Sequence, residues 1–222
     1  MSHPILSAKN IKKRFTHPTP IEVLSQIDLD ILPGDSVAIM GRSGEGKSTL
    51  LQILGTLDTP TEGTLQLLGK SALKGTDNLR NRHIGFVFQQ FNLLEDFTAL
   101  ENVMMPARIG RKDFSQAKQK ALEMLELVGL KERAHHFAKQ LSGGEKQRVS
   151  IARAFFNDPD IILADEPTGN LDKATAEAIH TLLLNFAHDQ NKALLLVTHD
   201  PELARLCKKQ YTLSGGCLTS SL

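Results

Sequence analysis

Cysteine is scarce in this chain: the two present, Cys207 and Cys217, lie near the C-terminus without a C-x-x-C spacing. A disulfide framework and a cysteine-built metal site are thereby set aside, and the pair reads as reduced cytosolic thiols. Long apolar runs are missing too. No stretch approaches the ~18 residues that a membrane-spanning helix needs. The first residues, with His3 and Pro4 among them, lack a secretory h-region. The polypeptide is expected to be cytosolic, with a membrane partner left open. One-sided charge is also absent. Lys and Arg number 26 against 25 Asp and Glu, a net +1 with no basic block, so no nucleic acid is expected as a partner. Neither an internal repeat nor a low-complexity segment is present. What remains, 222 residues at 41% hydrophobic and 23% charged, is ordinary for a globular protein with a sizeable core.

The chain is organised around Gly41-Arg42-Ser43-Gly44-Glu45-Gly46-Lys47-Ser48-Thr49. An apolar run, Val37 to Met40, leads into it. Leu50, Leu51, Ile53, Leu54 and Leu57 follow at helical spacing. Strand, glycine loop, helix is the context of a phosphate-binding loop. Glycines let backbone N–H groups turn inward on phosphate oxygens, and the helix N-terminus adds partial positive charge. Lys47 is placed to reach the β- and γ-phosphates and the Ser48 hydroxyl to ligate Mg²⁺. A glycine-rich turn with an incidental lysine is the bland alternative, and the full G-x-x-x-x-G-K-S with its flanks argues against it. The chain is expected to bind a nucleoside triphosphate.

Around this loop the sequence predicts a strand from Ile5 to Phe15 that ends in Lys12-Lys13-Arg14, read as a solvated strand end. Ile27, Leu29 and Ile31 alternate with Asp28 and Asp30, the pattern of a half-exposed antiparallel strand. Leu32 to Asp35 is a turn. Strands follow at Thr64 to Leu68 and Ile84 to Phe88, ending in Gln89-Gln90. The chain then looks mainly helical to about Pro159, with Ala117 to Val128 as the clearest amphipathic helix and Gly129 as its stop. Strands return at Ile161 to Ala164 and Ala193 to Thr198, with helices from Asp172 to about Ala187 and from Asp200. Such alternation predicts one α/β nucleotide-binding domain over 1–222, its core formed by 1–88 and 160–222 and a helical subdomain inserted at 89–159.

Two further stretches carry chemistry. Asp160 to Ala164 is a buried strand that ends in Asp165 and Glu166. Asp165, directly off the apolar run, is the better Mg²⁺ ligand; Glu166 points elsewhere and can polarise an attacking water. Leu141-Ser142-Gly143-Gly144-Glu145-Lys146-Gln147-Arg148 precedes a helical apolar face. Ser142 and Glu145 have capping-box spacing, yet an ordinary cap has no need of two glycines. A second anion-binding helix end is surplus unless it serves a nucleotide held by another molecule, which hints at a dimer with shared sites. Phe15, beside a Thr-His-Pro-Thr-Pro loop, suits core packing and stacking on a purine equally well.

In this order, the phosphate loop, Gln89 after a strand, Leu141 to Glu145, Asp165-Glu166, Asn170-Leu171-Asp172 and His199 resemble the ATP-binding cassette (ABC) ATPases over the whole chain. Pro167 to Asp172, Thr98 to Val103 and Val197 to Pro201 look most like the lipoprotein-releasing branch, with macrolide-export and cell-division cassettes as neighbours. The resemblance implies a RecA-like P-loop NTPase core with an N-terminal antiparallel β region and the inserted helical subdomain. It implies ATP hydrolysis with Mg²⁺ at the cytoplasmic face of an inner membrane, powering integral permease subunits. It implies two copies paired head to tail, with Ser142, Gly143, Gly144 and Glu145 of one closing on the γ-phosphate held by Lys47 of the other. Gln89 would contact Mg²⁺ and the attacking water, His199 would hold the γ-phosphate and position Glu166, and Asp172 would signal across the interface. Phe15 matches a position where the family usually stacks tyrosine on adenine, which favours stacking.

Departures from the pattern are Phe15 without a hydroxyl, Glu45 in place of a small residue, and Ser214-Gly215-Gly216-Cys217-Leu218 in place of an Asp-Gly-Arg turn. That last stretch reads as a hairpin, having no helical face after it. Glu45 is expected to face solvent or the partner chain, away from Lys47. Two other readings compete with lipoprotein release: a cassette acting on a membrane partner without cargo, and a P-loop kinase, for which Leu141 to Glu145 would have no job.

Overall fold

The computed structural model describes residues 3–221. Its strands are β1 (Leu6–Phe15), β2 (Ile21–Ile31), β3 (Ser36–Met40), β4 (Glu62–Leu67), β5 (Lys70–Ser71), β6 (Ile84–Phe88), β7 (Ile161–Asp165), β8 (Ala193–Val197), β9 (Lys209–Ser214) and β10 (Cys217–Ser220). Helices are α1 (Lys47–Leu54), α2 (Asp77–His83), α3 (Ala99–Ile109), α4 (Phe114–Leu127), α5 (Gly143–Phe155), α6 (Lys173–Asp189) and α7 (Pro201–Arg205). Between β6 and β7 the chain is helical, through α3, α4, two 3₁₀ turns and α5.

The strands form one sheet in the order β5-β4-β1-β2-β10-β9-β3-β8-β7-β6. From β9 to β6 neighbours run parallel, and β1, β2, β4 and β5 pair antiparallel. The parallel strands carry continuous apolar runs because both faces are covered: every residue of β8 is buried. Alternate residues feed two cores. Ala38, Ile162, Ala164, Leu194 and Leu196 face the core shared with α3 to α7. Val37, Ile39, Ile161, Leu163 and Leu195 face the core under α1 and the antiparallel strands.

Local chemistry sets the helix ends. Thr98 caps α3 in a reciprocal box with Glu101, and Asp113 caps α4 through the Gln116 N–H. This cap starts α4 three residues before the predicted Ala117. The Lys12-Lys13-Arg14 cluster is not merely solvated: Lys12 pairs with Glu62 at 2.9 Å, Lys13 with Asp58 at 2.8 Å, and Arg14 with Glu22 and Glu62. These pairs tie β1 to its neighbours β2 and β4 and to the connection before β4.

Candidate active site

Sheet register gathers the site. Ile39 pairs with Val197, Val197 with Asp165, and Asp165 with Phe88. The carboxyl ends of β3, β8, β7 and β6 are therefore level. Whatever follows them is delivered to one edge: the glycine loop, Thr198-His199, Glu166 and Gln89. Ligands of open α/β sheets bind at this edge. It holds a cavity of about 510 Å³ lined by Val23, Ser43, Gly44, Gly46, Lys47, Ser48, Thr49, Gln89, Asp165, Glu166 and His199.

The glycine loop wraps the lysine that ends it. Gly46 caps α1 at φ 94°, and a Cβ there would meet Val23 Cγ1 at 2.5 Å. The Lys47 ammonium donates to the carbonyls of Gly41 at 2.9 Å and Arg42 at 3.0 Å, so it sits inside its own loop. Gly41 and Arg42 shape the loop without lining the cavity.

Asp165 and Glu166 diverge although adjacent. Asp165 continues the strand, and burial pushes its carboxyl above the usual range against the opposing pull of the Ser48 hydroxyl and Lys47. Glu166 takes a left-handed backbone, φ 45°, with its N–H donating to Val197 O at 2.9 Å. Such a conformation costs a non-glycine residue about 1–3 kcal/mol and turns the side chain off the strand direction. Its Oε2 lies 2.9 Å from Nδ1 of the exposed His199 and accepts the His199 backbone N–H at 3.3 Å. A carboxylate is thus held beside a histidine at the cavity wall. Ser48, Asp165 and Gln89 offer hard oxygen donors to the same space. Among the described residues no cluster of three or more His, Cys, Asp or Glu could hold a metal. A few protein oxygens, completed by phosphates and water, suit Mg²⁺, so the residues present fit that ion.

Gln89 begins an exposed segment that is anchored from behind. Arg153 of α5 donates to the carbonyls of Phe91 at 2.8 Å and Asn92 at 2.6 Å. Burial pushes its guanidinium down to about 10. Buried Asn102 holds Leu94 through both its N–H and its carbonyl. Sequence reasoning named neither residue as an anchor, nor Val23 as a cavity wall.

Ser142, Gly143, Gly144 and Glu145 lie elsewhere, bordering a separate hollow of about 340 Å³ shared with Arg148, Asn170, Leu171, Asp172 and Thr175. Ser142 caps α5, and Glu145 closes the box: its Oε2 accepts from the Ser142 N–H at 2.9 Å and hydroxyl at 2.8 Å. Those bonds, backbone first, hold the Glu145 carboxyl below the usual range, and its Oε1 lies 3.3 Å from Arg133 Nε. Its carboxylate is committed to its own chain. Asp172 caps α6 through the Thr175 N–H and hydroxyl.

Phe15 is 39% exposed at the end of β1, with Lys13 Nζ 5.1 Å from its ring, so core packing is excluded; the ring lies outside the cavity lining. Glu45 contacts its own chain, away from Lys47. It is half-buried, and its Oε2 accepts the Gly215 N–H at 3.0 Å. Gly215 and Gly216, at φ 55° and 75°, form the β9–β10 turn. Two departures from the family pattern, Glu45 and the Ser-Gly-Gly turn, therefore touch each other.

Comparisons with known proteins agree with this geometry. The family model described as ABC transporter matches residues 24–169. The lipoprotein-releasing system ATP-binding protein LolD of Protochlamydia amoebophila is 58% identical, with 96% of each chain covered. LolD of Pseudomonas syringae pv. tomato is 49% identical over 98% of each. A solved dimeric structure of the ATP-binding cassette MJ0796, in a post-hydrolysis state bound to ADP and Pi, is 41% identical, covers 96% of each chain and superposes with a TM-score of 0.88. Its P-loop core with an added β region and helices between β6 and β7 is thus the cassette fold, and among the described residues no helix is long and apolar enough to cross a membrane. By sequence and by fold alike, the chain belongs to the ABC transporter family.

Proposed function

We propose that this chain is the ATP-hydrolysing subunit of an ABC transporter that releases lipoproteins from the inner membrane. It would work as a head-to-tail pair at the cytoplasmic face, bound to integral permease subunits. The observation that carries the reading is the meeting of Lys47, Ser48, Gln89, Asp165, Glu166 and His199 in one cavity at the level ends of four strands. Lipoprotein release is supported by the relatives bearing that name at 58% and 49% identity.

The loop amides and Lys47 bind the β- and γ-phosphates. Ser48 and Asp165, with the Gln89 amide oxygen, would hold Mg²⁺, which when bound neutralises charge that develops on the phosphoryl oxygens. Glu166 orients and deprotonates the attacking water, and His199 fixes the Glu166 carboxylate and reaches the γ-phosphate. Phe15 offers a ring face to adenine. The hollow at Ser142 to Gly144 stands apart from the Lys47 cavity, which supports a site completed by a second copy. The first 3₁₀ turn and α3 to α5, within 89–159, would form the helical subdomain that carries this hollow.

The chain expressed with the membrane proteins that co-purify with it should, in vesicles loaded with an acylated lipoprotein, free that lipoprotein to a soluble carrier on adding MgATP. A stable membrane partner whose complex hydrolyses ATP without freeing lipoprotein would favour the cargo-free reading.

A further inference from the structure

We infer that Gln147 positions Glu166, and that it does so by anchoring the residue that follows it. The inference rests on the reading of Glu166 as the base. Gln147 lies on α5, in the same helix that Ser142 caps, and is fully buried. Its Nε2 donates to the carbonyl of Pro167 at 2.5 Å. Its other amide atom, Oε1, is buried with no hydrogen-bond partner among the described residues. An amide that leaves its own oxygen unpaired adds little to core stability beyond the one bond its N–H makes. What the glutamine adds is the donor to Pro167.

That donor acts where the backbone needs it. Glu166 holds a left-handed conformation that persists only when its surroundings impose it. Upstream, its N–H is fixed on Val197. Downstream, Pro167 is held by Gln147, and the Thr168 hydroxyl lies 2.9 Å from Nε2 of the buried His180 on α6. Two helices thus clamp the two residues after the base. The carboxylate that His199 contacts inherits its direction from that clamp.

A double-mutant cycle tests the assignment on the intact ATPase. Gln147→Leu keeps the buried volume and trades the orphan oxygen for an unpaired Pro167 carbonyl, so its melting temperature should fall by only about 2–12 °C and leave the protein folded at assay temperature. Its kcat should fall about tenfold or more, as loss of a supporting shell typically does, while KM for ATP changes less than about twofold. Placed on Glu166→Gln, the same change should lower residual turnover no further, because a residue acting through Glu166 has nothing left to position. A lowered melting temperature with kcat intact, or losses that multiply in the double variant, would overturn the assignment. Near-wild-type turnover by Glu166→Gln alone would overturn the base reading and this inference with it. Gln147→Glu provides an independent arm. A buried carboxyl is protonated more readily than an exposed one and then donates an O–H to Pro167. Its kcat relative to wild type should rise as pH falls from about 8.5 to 6, and a flat ratio would also overturn the assignment.

Discussion

Gly46→Ala tests the packing that holds the phosphate loop in place. The residue caps α1 at φ 94°, ψ 13°, where a side chain adds about 1–2 kcal/mol of local strain. The new Cβ would also lie 2.5 Å from Val23 Cγ1, with Val23 O at 3.3 Å and Leu24 Cδ2 at 3.4 Å. Val23 is β-branched and stiff, so the overlap is not relieved by a rotamer change; overpacking of this kind costs about 1–3 kcal/mol. The sum, about 2–5 kcal/mol, is a large share of ordinary domain stability. At ~2–4 °C per kcal/mol it lowers the nucleotide-free melting temperature by about 5–20 °C. Because β2 and the loop are pushed apart, ATP affinity falls as well. Val23→Ala removes Cγ1, the severe overlap, and leaves the strain with the two tight contacts to Val23 O and Leu24 Cδ2, so the double variant should recover about 1–3 kcal/mol relative to the sum of the single losses. Differential scanning fluorimetry of the four proteins without nucleotide is the assay. Strictly additive losses, or a Gly46→Ala protein as stable as wild type, would refute the reasoning.

Phe15→Ala should weaken nucleotide binding about 5–150-fold, the equivalent of the ~1–3 kcal/mol that a stacked base is worth. Tyrosine or tryptophan should restore it, and unchanged affinity by calorimetry would remove Phe15 from the site. Glu45→Ala should cost about 1 kcal/mol through loss of the Gly215 contact, or ~2–4 °C in melting temperature. ATP affinity of the single chain should move less than tenfold, and a gain of tenfold or more would mean that the carboxylate faces the phosphates. Of the two free thiols, Cys217 is exposed, whereas burial pushes Cys207 up to about 12. The thiolate being the nucleophile, a disulfide reagent at pH 8 should titrate one fast thiol in the native protein and two in denaturant. Two fast native thiols would contradict the packing around α7.

The site was legible in the sequence because local pattern dictates its parts. Apolar runs that end abruptly in Gly41, Gln89, Asp165-Glu166 and Thr198-His199 become parallel strands whose ends are level, and the chemistry falls at one edge. Ser142 and Glu145 show their cap by spacing alone. What the sequence hides is contact between distant segments. The acceptor role of Glu45 depends on Gly215, 170 residues away, brought close only because β9 pairs with β3. Arg153 and Gln147 look like ordinary polar positions of an amphipathic helix; their targets, Phe91, Asn92 and Pro167, are backbone carbonyls that carry no sequence signal. Helix α2 has no buried residue and hence no apolar period to read.

The central claim is that Glu166 activates water in a site that two copies complete around ATP. Glu166→Gln removes the base and keeps the side chain's size, with an amide oxygen that can still accept the His199 N–H. General-base loss costs ~10²–10⁴-fold in turnover. Size-exclusion chromatography with light scattering, run with MgATP alongside a turnover assay, measures both halves of the claim on one sample. The account predicts a turnover lower by that factor and a stable dimer that retains ATP and falls apart when ATP is withdrawn. A variant that hydrolyses ATP near the wild-type rate, or one that binds ATP as a monomer at every protein concentration, would contradict it.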